Sequence, residues 1–404
     1  MNIVSRKNMI LLALFLEGLA SGSVYFLMVF AASQTMEPWA LMAIALASTL
    51  SGVLLAAPMG FIVDRLNLRR AWRLGLLIDF LGILIIALVP QLWVWIGVIV
   101  VRTGVSILTG AAQFKILPKI EGMTEKTASA YLVGLGSFLG ISIPVFASLI
   151  YSFFQEQASL LAALVFLPAL LILTLAIPQI ETKVSLEPLS LKEVFLGLGA
   201  ISRSQRVLAY LPVMFLAVLC TSVEDLSGVI YLQEVGGQFI SSHLPSYQGQ
   251  PDALGYSLLV SCWSLGTLLM AFISARPFYR VKGLPALLWG GLGIALAILG
   301  EGLFSYAPLI ALVFLAGGLC NSMHNLGIRQ MVYDYVPEEN QGQVWAMIGA
   351  SFQIFVSLGQ VLGTPYLLAE PRTVIIAGGG LAATLILLFL LLSPFLEGRF
   401  KNKS

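Results

Sequence analysis

Two ionisable residues, Glu17 and Arg102, lie deep inside long apolar runs of this sequence. In helices that rise about 1.5 Å per residue, Glu17 would lie about 14 Å along the first run, and Arg102 about 13 Å from the opposite end of the fourth. A charge at that depth in hydrocarbon is costly unless it is paired or faces water. These residue types suggest that Glu17 is reversibly protonated and that Arg102 tunes its pKa. Protonation of Glu17 would then release its pairing with Arg102. The alternative is a static structural ion pair.

Glu224 and Asp225 form a second set of ionisable residues, adjacent to one another in the outer half of the seventh apolar run. Adjacent positions on a helix point about 100° apart, so one carboxyl can face a cavity while the other meets a polar neighbour. Two interpretations are equally weighted. The residues bind a proton or a substrate cation, or an early helix end exposes both to outside water.

Other polar residues interrupt the third, ninth and tenth runs. Asp79 lies about 10 Å into the third run, where we expect it to pair with the arginines of the preceding turn. Glu301 lies near the end of the ninth run and is expected to be solvated. The tenth run has a polar half, with Asn321, His324 and Asn325. His324 could titrate near neutral pH, although a packing role is the favoured interpretation.

The composition determines which elements position these residues. Only 10% of the 404 residues are charged and 58% are hydrophobic, which is too little polar surface for a soluble globule. A helix needs about 20 apolar residues to cross a bilayer. The sequence therefore predicts an all-α membrane protein with twelve transmembrane helices, at residues 8–31, 38–62, 72–90, 93–115, 127–152, 158–178, 207–233, 253–275, 284–305, 308–332, 343–368 and 373–394.

The distribution of basic residues predicts the orientation of these helices. With the N-terminus inside, twenty of the twenty-two Lys and Arg lie in cytoplasmic segments or at the cytoplasmic ends of spans, leaving Arg372 outside and Arg102 deep within a span. Cytoplasmic loops are the ones that carry an excess of Lys and Arg. We therefore expect both termini in the cytoplasm and the segment 234–252, which contains no Lys or Arg, outside.

A short charged turn separates the second and third spans, with Gly60, Asp64, Arg65, Arg69 and Arg70 at its key positions. A worn copy, 271–280, follows the eighth span. The chain therefore looks duplicated, with an N-terminal half (1–180), a cytoplasmic linker (181–206) and a C-terminal half (207–404). Apolar residues at near-helical spacing over 189–198 predict a short helix, either lying on the inner membrane surface or solvated and packed on the protein.

Some small residues are predicted to serve packing alone. Gly136 and Gly140 in the fifth span, and Gly359 and Gly363 in the eleventh, recur at a spacing that permits close helix contact. The three cysteines fall in separate spans without ligand-like spacing and are expected to be packing residues; they are Cys220, Cys262 and Cys320.

Twelve spans in two sets of six, a cytoplasmic central linker and the spacing of the charged turn resemble the major facilitator superfamily over essentially the whole chain. The segment 333–344 is similar to the macrolide-efflux and siderophore-exporter branch. The resemblance implies that the first, fourth, seventh and tenth spans line a central cavity, and that the charged turn latches and gates the protein. In the second copy Ala275 replaces Asp64, which implies a weaker latch there. A membrane anchor alone is the alternative role for this turn.

The resemblance and the buried charges predict a secondary transporter, with proton-coupled efflux of an amphipathic or hydrophobic small molecule by alternating access. The predicted proton and substrate residues are Glu17, Arg102, Glu224, Asp225, Asn321, His324 and Asn325, and the predicted gating residues are Gly60, Asp64, Arg65, Arg69, Arg70 and Asp79. The alternatives are an importer or lysolipid-type transporter of the same fold, and a non-transporting membrane scaffold or receptor.

Motifs of other protein classes do not occur in the sequence. There is no phosphate-binding loop of the Gly-x4-Gly-Lys type, no paired-histidine metal motif and no nucleophile elbow, which argues against an ATP-driven pump, a metal site and an enzyme. We expect no cofactor, and the net charge of +2 carries no nucleic-acid signal. The expected partners are a small-molecule substrate, protons or another coupling ion, and the lipid of a bacterial inner membrane.

Overall fold

The computed structural model describes residues 3–35, 38–65, 67–120, 123–177, 204–274, 276, 282–364 and 370–401. Within these ranges the chain forms twelve α-helices and two short 3₁₀ helices, the latter at Leu117–Lys119 and Gln155–Gln157. The α-helices are α1 (Ile3–Thr35), α2 (Pro38–Arg65), α3 (Leu68–Leu88), α4 (Leu92–Ile116), α5 (Glu125–Phe154), α6 (Ala158–Ala176), α7 (Gln205–His243), α8 (Pro251–Ser274), α9 (Gly283–Leu303), α10 (Ala307–Tyr335), α11 (Glu338–Gly363) and α12 (Pro371–Lys401).

Each of these helices coincides with one predicted span, and the all-α fold class is confirmed. Nine helical runs in the described residues are long and apolar enough to cross a membrane, and one of them, Gly134–Ala176, contains both α6 and most of α5. Two shorter apolar helices, Trp39–Leu55 and Met347–Gly363, belong to α2 and α11. The chain is a multi-pass membrane protein.

Large apolar side chains cover the outside of the helices. Leu175 is 78% exposed, Phe395 75%, Trp93 73% and Leu54 71%. Water around so many exposed Leu, Phe and Trp side chains would be unfavourable, whereas lipid tails are a good solvent for them. These exposures mark the lipid-facing surface.

The seventh helix is longer than the sequence predicted. The expected span ended at residue 233, but α7 has 39 residues and continues to His243, a length of about 58 Å. The polar residues after 233 end the apolar run without ending the helix, because a helix satisfies its own backbone and can project beyond the hydrocarbon. The expected external loop 234–252 is therefore mostly helical, and the connection to α8 is short.

The chain divides into two compact units, residues 1–188 with 244–257, and residues 189–243 with 258–404. In the first unit α1 packs on α5 and α6, and α3 packs on α4 and α6. In the second unit α7 packs on α11 and α12, and α9 packs on α10 and α12. Each unit thus repeats one packing pattern six helices apart, as a duplicated chain would.

Glycines allow the closest helix contacts of the second unit. A Cβ at position 363 would overlap the Val223 carbonyl oxygen of α7, and one at 318 would overlap the Trp263 carbonyl oxygen of α8. The predicted close contact in the eleventh span is therefore confirmed. In the fifth span Gly136 faces open space, and the α1–α5 contact instead forms where Leu139 of α5 lies over Gly18 of α1.

Some predictions fall outside the described residues. These are the linker helix at 189–198 and half of the second arginine turn, of which Arg276 is described and exposed. Within the described residues the three cysteines are free thiols; Cys220 is buried, and Cys262 and Cys320 are half-buried.

Candidate functional site

An ion pair between α3 and α4 forms the charged centre of the first unit. Nε of Arg102 donates to Oδ1 of Asp79 at 2.5 Å, and the two side chains are only 11% and 12% exposed. The aliphatic stem of Arg102 passes directly over Gly82 of α3, where a Cβ would lie 3.0 Å from it. The glycine one turn beyond Asp79 thus leaves the space through which the arginine reaches the acid.

The same guanidinium also hydrogen-bonds to α1. Nη2 of Arg102 donates to the Ser21 carbonyl oxygen at 2.9 Å and to its hydroxyl oxygen at 3.0 Å. Because a guanidinium carries its donors in a planar fork, one residue can hold an acid on α3 and two acceptors on α1 together. Arg102 therefore fixes the mutual depth of three helices.

Glu17 lies next to this ion pair without being its partner. It is half-buried, one turn of α1 before Ser21, and it lies within electrostatic range of both Asp79 and Arg102. The expected proximity of Glu17 and Arg102 is found. The ion pair of Arg102, however, is made with Asp79, so the expected direct Glu17–Arg102 pair is not the arrangement that forms.

A polar cavity of about 140 Å³ opens beside the ion pair. Helices α1, α2, α3 and α4 contribute its walls, and the polar lining residues are Ser21, Tyr25, Ser48, Asp79, Arg102, Thr103 and Ser106. Hydroxyl groups, a carboxylate and a guanidinium thus converge inside an apolar helix bundle, and convergent polar groups of this kind can orient a small ligand or a proton.

The expected pairing of Asp79 with the arginine turn is wrong. Its carboxylate pairs with Arg102 on the other side of α3 and lines the cavity. The prediction erred because depth along a helix is readable from sequence, whereas the direction of a side chain around the helix depends on its neighbours. Asp79 therefore belongs to the candidate site.

The charged turn itself joins the end of α2 to the start of α3. Gly60, Asp64 and Arg65 lie in the last turns of α2, and the side chains of Asp64 and Arg65 are outside the described part of the structure. Asn67 caps α3, its Oδ1 accepting from the Arg69 backbone N–H at 3.0 Å and the Arg70 N–H at 3.3 Å. The N-cap acceptor is thus Asn67, a residue that the sequence patterns did not single out.

The two acids of α7 point in different directions, as adjacent helix positions must. Glu224 is half-buried, and its carboxyl lies within hydrogen-bond distance of Glu301 on α9. Asp225 is exposed and accepts a hydrogen bond from the Gln360 side chain of α11. The alternative of an early helix end is excluded, because α7 continues for eighteen residues to His243.

The expectation that Glu301 is solvated is wrong. Glu301 is 0% exposed, and neither carboxyl oxygen receives an N–H or O–H donor among the described residues. It lies one turn from the end of α9, but neighbouring helices cover that end. Arg372 of α12, for example, donates to the Gly302 carbonyl oxygen at 2.8 Å.

The polar residues of α10 are not gathered in one place. His324 is 2% exposed and packs between α10 and α9, where its Nδ1–H donates to the Leu287 carbonyl oxygen at 2.8 Å. The packing interpretation of His324 therefore fits the structure better than a cavity role. Asn325 is exposed and donates to Oδ1 of Asn321 at 3.4 Å, a contact along the helix surface.

Sequence reasoning missed several residues that the structure brings into these sites, among them Ser21, Tyr25 and Glu301. Ser21 and Tyr25 follow Glu17 at intervals of four, so the polar stripe of α1 was readable in the sequence. No sequence pattern indicated that Glu301 belongs to a site, because only the packing of α9 against α7 brings it close to Glu224.

No protein-family model matches the chain, and no curated protein matches it by sequence. Solved structures do match it. The nucleoside transporter NupG superposes with a TM-score of 0.77 at 15% identity, over 97% of this chain and 99% of NupG. A POT family transporter in complex with 5-aminolevulinic acid gives a TM-score of 0.72 at 14% identity, over 96% of each chain.

The chain has the major facilitator fold. Another structure with this fold, a peptide transporter POT in complex with sulfate, matches with a TM-score of 0.70 at 16% identity over 96% of this chain and 94% of that one. The predicted twelve-helix major facilitator architecture is thereby confirmed. At these identities the likeness concerns the fold.

The segment that resembled the exporter branch of this superfamily forms the connection from α10 to α11. Within it, Gln341 donates to the Val336 carbonyl oxygen at 3.0 Å. Its amide thus satisfies a backbone acceptor just beyond the C-terminus of α10. A neutral amide can serve this role as well as a charged side chain.

Proposed function

We propose that this protein is a proton-coupled secondary transporter that exports an amphipathic small molecule by alternating access. The observation that carries the proposal is the Asp79–Arg102 ion pair beside Glu17, at a polar cavity inside an apolar helix bundle. Charged groups are retained at such places at considerable energetic cost, which favours a functional role over a purely structural one.

The charge balance of this site suggests how coupling works. The site contains two carboxylates, Asp79 paired with Arg102 and Glu17 nearby, but the one guanidinium of Arg102, so the ionised site has one negative charge in excess. Either a proton on one carboxyl or a cationic group in the cavity neutralises that excess. A site that accepts a proton or a cation, but not both, exchanges one for the other. This exclusivity is what antiport requires.

Export is supported by the sequence similarity of the segment 333–344 to the exporter branch. Import by proton symport is the second candidate, and the structural neighbours favour it: they are a nucleoside transporter and POT family transporters, one of them in complex with a thioalcohol-conjugated peptide. The polar lining of the cavity would also suit a hydrophilic substrate.

Purified protein in liposomes with an internal pH dye tests both candidates. The probes are a lipophilic cation, a macrolide, a siderophore, a lysophospholipid, a nucleoside and a dipeptide. Antiport predicts substrate uptake into liposomes that are acidic inside, accompanied by proton efflux. Symport predicts uptake into liposomes that are alkaline inside, accompanied by proton entry.

Variants then locate the coupling site. Glu17→Gln should abolish substrate-dependent proton flux, whereas Glu156→Gln, an exposed glutamate between α5 and α6, should leave it unchanged. Flux that persists in Glu17→Gln would move coupling away from this site. No transport of any probe by the unmodified protein, together with normal folding of Glu17→Gln and Arg102→Gln, would favour a membrane scaffold or receptor.

A further inference from the structure

A second acidic pair lies between α7 and α9, within the second unit. The side chain of Glu301 on α9 is fully buried, and neither of its oxygens receives an N–H or O–H donor from the described residues. The carboxyl of Glu224 on α7 lies within hydrogen-bond distance of it. Buried acids are normally matched by donors or cations, so a buried carboxyl that faces only another carboxyl needs an explanation.

The helix backbone makes room for this arrangement. Gly228, one turn after Glu224, has no side chain, and a Cβ there would overlap Oε1 of Glu224. The Glu224 carboxyl therefore occupies space that any other residue at position 228 would take. Its place beside Glu301 depends on that glycine.

The charged and titratable groups around the pair supply no neutralising cation among the described residues. On α7, Asp225 adds a further acid, whose partner on α11 is the neutral Gln360. On α12, Arg372 is committed to the Gly302 and Leu303 carbonyl oxygens at 2.8 and 3.1 Å. The titratable residues in the apolar part of α10 are the Cys320 thiol and His324, whose hydrogen bond to the Leu287 carbonyl oxygen lies four turns of α9 away from Glu301.

We infer that Glu224 and Glu301 share a single proton and form a proton-binding site of the second unit. A hydrogen bond between two carboxyls requires that one of them be protonated, so that its O–H donates to the carboxylate of the other. The loaded pair then holds one proton and one negative charge. Release of the proton would leave two adjacent buried carboxylates without a counter-charge, which is strongly unfavourable.

The exposed Asp225 gives this proton a route. Asp225 lies beside Glu224 in the chain and is not covered by its neighbours, so its carboxyl is placed to exchange a proton with the pair. A metal ion is the competing occupant, but the described residues contain no group of three or more His, Cys, Asp and Glu side chains placed to hold one. This site contains no arginine, and it does not depend on the proposed coupling role of Glu17.

Infrared difference spectroscopy of purified protein, without substrate, tests the inference. A protonated buried carboxyl gives a carbonyl stretch that is separate from the amide bands and from ionised carboxylates. In a Glu17→Gln background, which removes the other carboxyl proposed to take up a proton, we expect this band, and we expect its loss when Glu301→Gln or Glu224→Gln is added. Glu234→Gln, an exposed glutamate on the same helix α7, should keep it.

Gly228→Ala provides a test that removes no carboxyl. It should displace the Glu224 carboxyl and shift the frequency of the band while the protein remains monodisperse in gel filtration. A band that survives both glutamine substitutions, or that stays unshifted in Gly228→Ala, would overturn the inference. Loss of the band on adding sodium or calcium at constant pH would instead make this a metal-ion site. Because no substrate is involved, failure here leaves the transport proposal standing.

Discussion

At the scale of residues, Arg102 shows why the type of cation matters. Its Nε holds Asp79 while its Nη2 holds both acceptors of Ser21. A lysine ammonium at this position would keep the charge but would lack the planar fork that reaches α3 and α1 together. The ion pair thus also links three helices. Its removal should lower both the free energy of unfolding and the transport activity.

Replacement of Asp79 by Asn should lower the free energy of unfolding by about 3 kcal/mol, because it leaves the Arg102 charge buried beside a neutral amide. Adding Arg102→Gln removes the unpaired charge, so the double variant should be more stable than Asp79→Asn alone. Unfolding in detergent measures both. Asp334→Asn, at an exposed site, is the matched control, and strictly additive losses in the double variant would show that the two residues are not coupled.

At the scale of elements, glycines inside apolar helices differ in what they do. Gly363 lies against the Val223 carbonyl oxygen, and Gly318 against that of Trp263. At Gly136 and Gly110, by contrast, nothing lies within 4 Å of the position that a Cβ would take. The first two glycines permit contact between helix backbones. The other two only weaken their own helices, because glycine is a poor helix former.

Alanine substitutions at these two kinds of glycine should therefore change the free energy of unfolding in opposite directions. Gly363→Ala and Gly318→Ala should destabilise the protein by about 1–3 kcal/mol, because the backbones must separate. Gly136→Ala and Gly110→Ala should stabilise it by about 0.5–1 kcal/mol. Thermal unfolding of the four variants and of the unmodified protein under one set of conditions measures these differences. A stabilising Gly363→Ala would mean that the contact between α7 and α11 is looser than the Gly363–Val223 approach indicates.

The cap of α3 is the second element-scale feature with a measurable effect. Asn67→Ala should cost about 1 kcal/mol, because the backbone N–H groups of Arg69 and Arg70 lose their acceptor. Amide hydrogen exchange in the first turn of α3 should become faster. Asn67→Ser retains a capping oxygen and should restore most of the protection; equal exchange in the alanine and serine variants would show that the cap does not stabilise this turn.

At the scale of the whole molecule, the two units repeat one helix packing but carry different chemistry. In the first, an arginine on α4 is paired with an acid on α3, near another acid on α1. In the second, acids of α7 and α9 face each other, and no cation contacts them among the described residues. Duplication conserves the architecture because packing needs only apolar surface and small residues, whereas the sites can diverge residue by residue.

The basic-residue distribution predicts that the connection between α7 and α8 is external and the start of α9 cytoplasmic. In a variant lacking the three native cysteines, Ser246→Cys should react in intact cells with a membrane-impermeant maleimide. Lys282→Cys should react only after the cells are opened; both positions are exposed in the structure. The reverse labelling pattern would invert the predicted topology.

The sequence by itself determined the number, order and approximate extent of the helices, because a run of about 20 apolar residues is a local property that the bilayer thickness converts directly into a span. It also located Glu17 and Arg102 at a common depth, since depth follows from residue count. Only the tertiary structure decided that Arg102 pairs with Asp79 and that Glu224 meets Glu301. Those pairings depend on the rotation of each helix and on which helices become neighbours, and packing between residues far apart in the chain decides both.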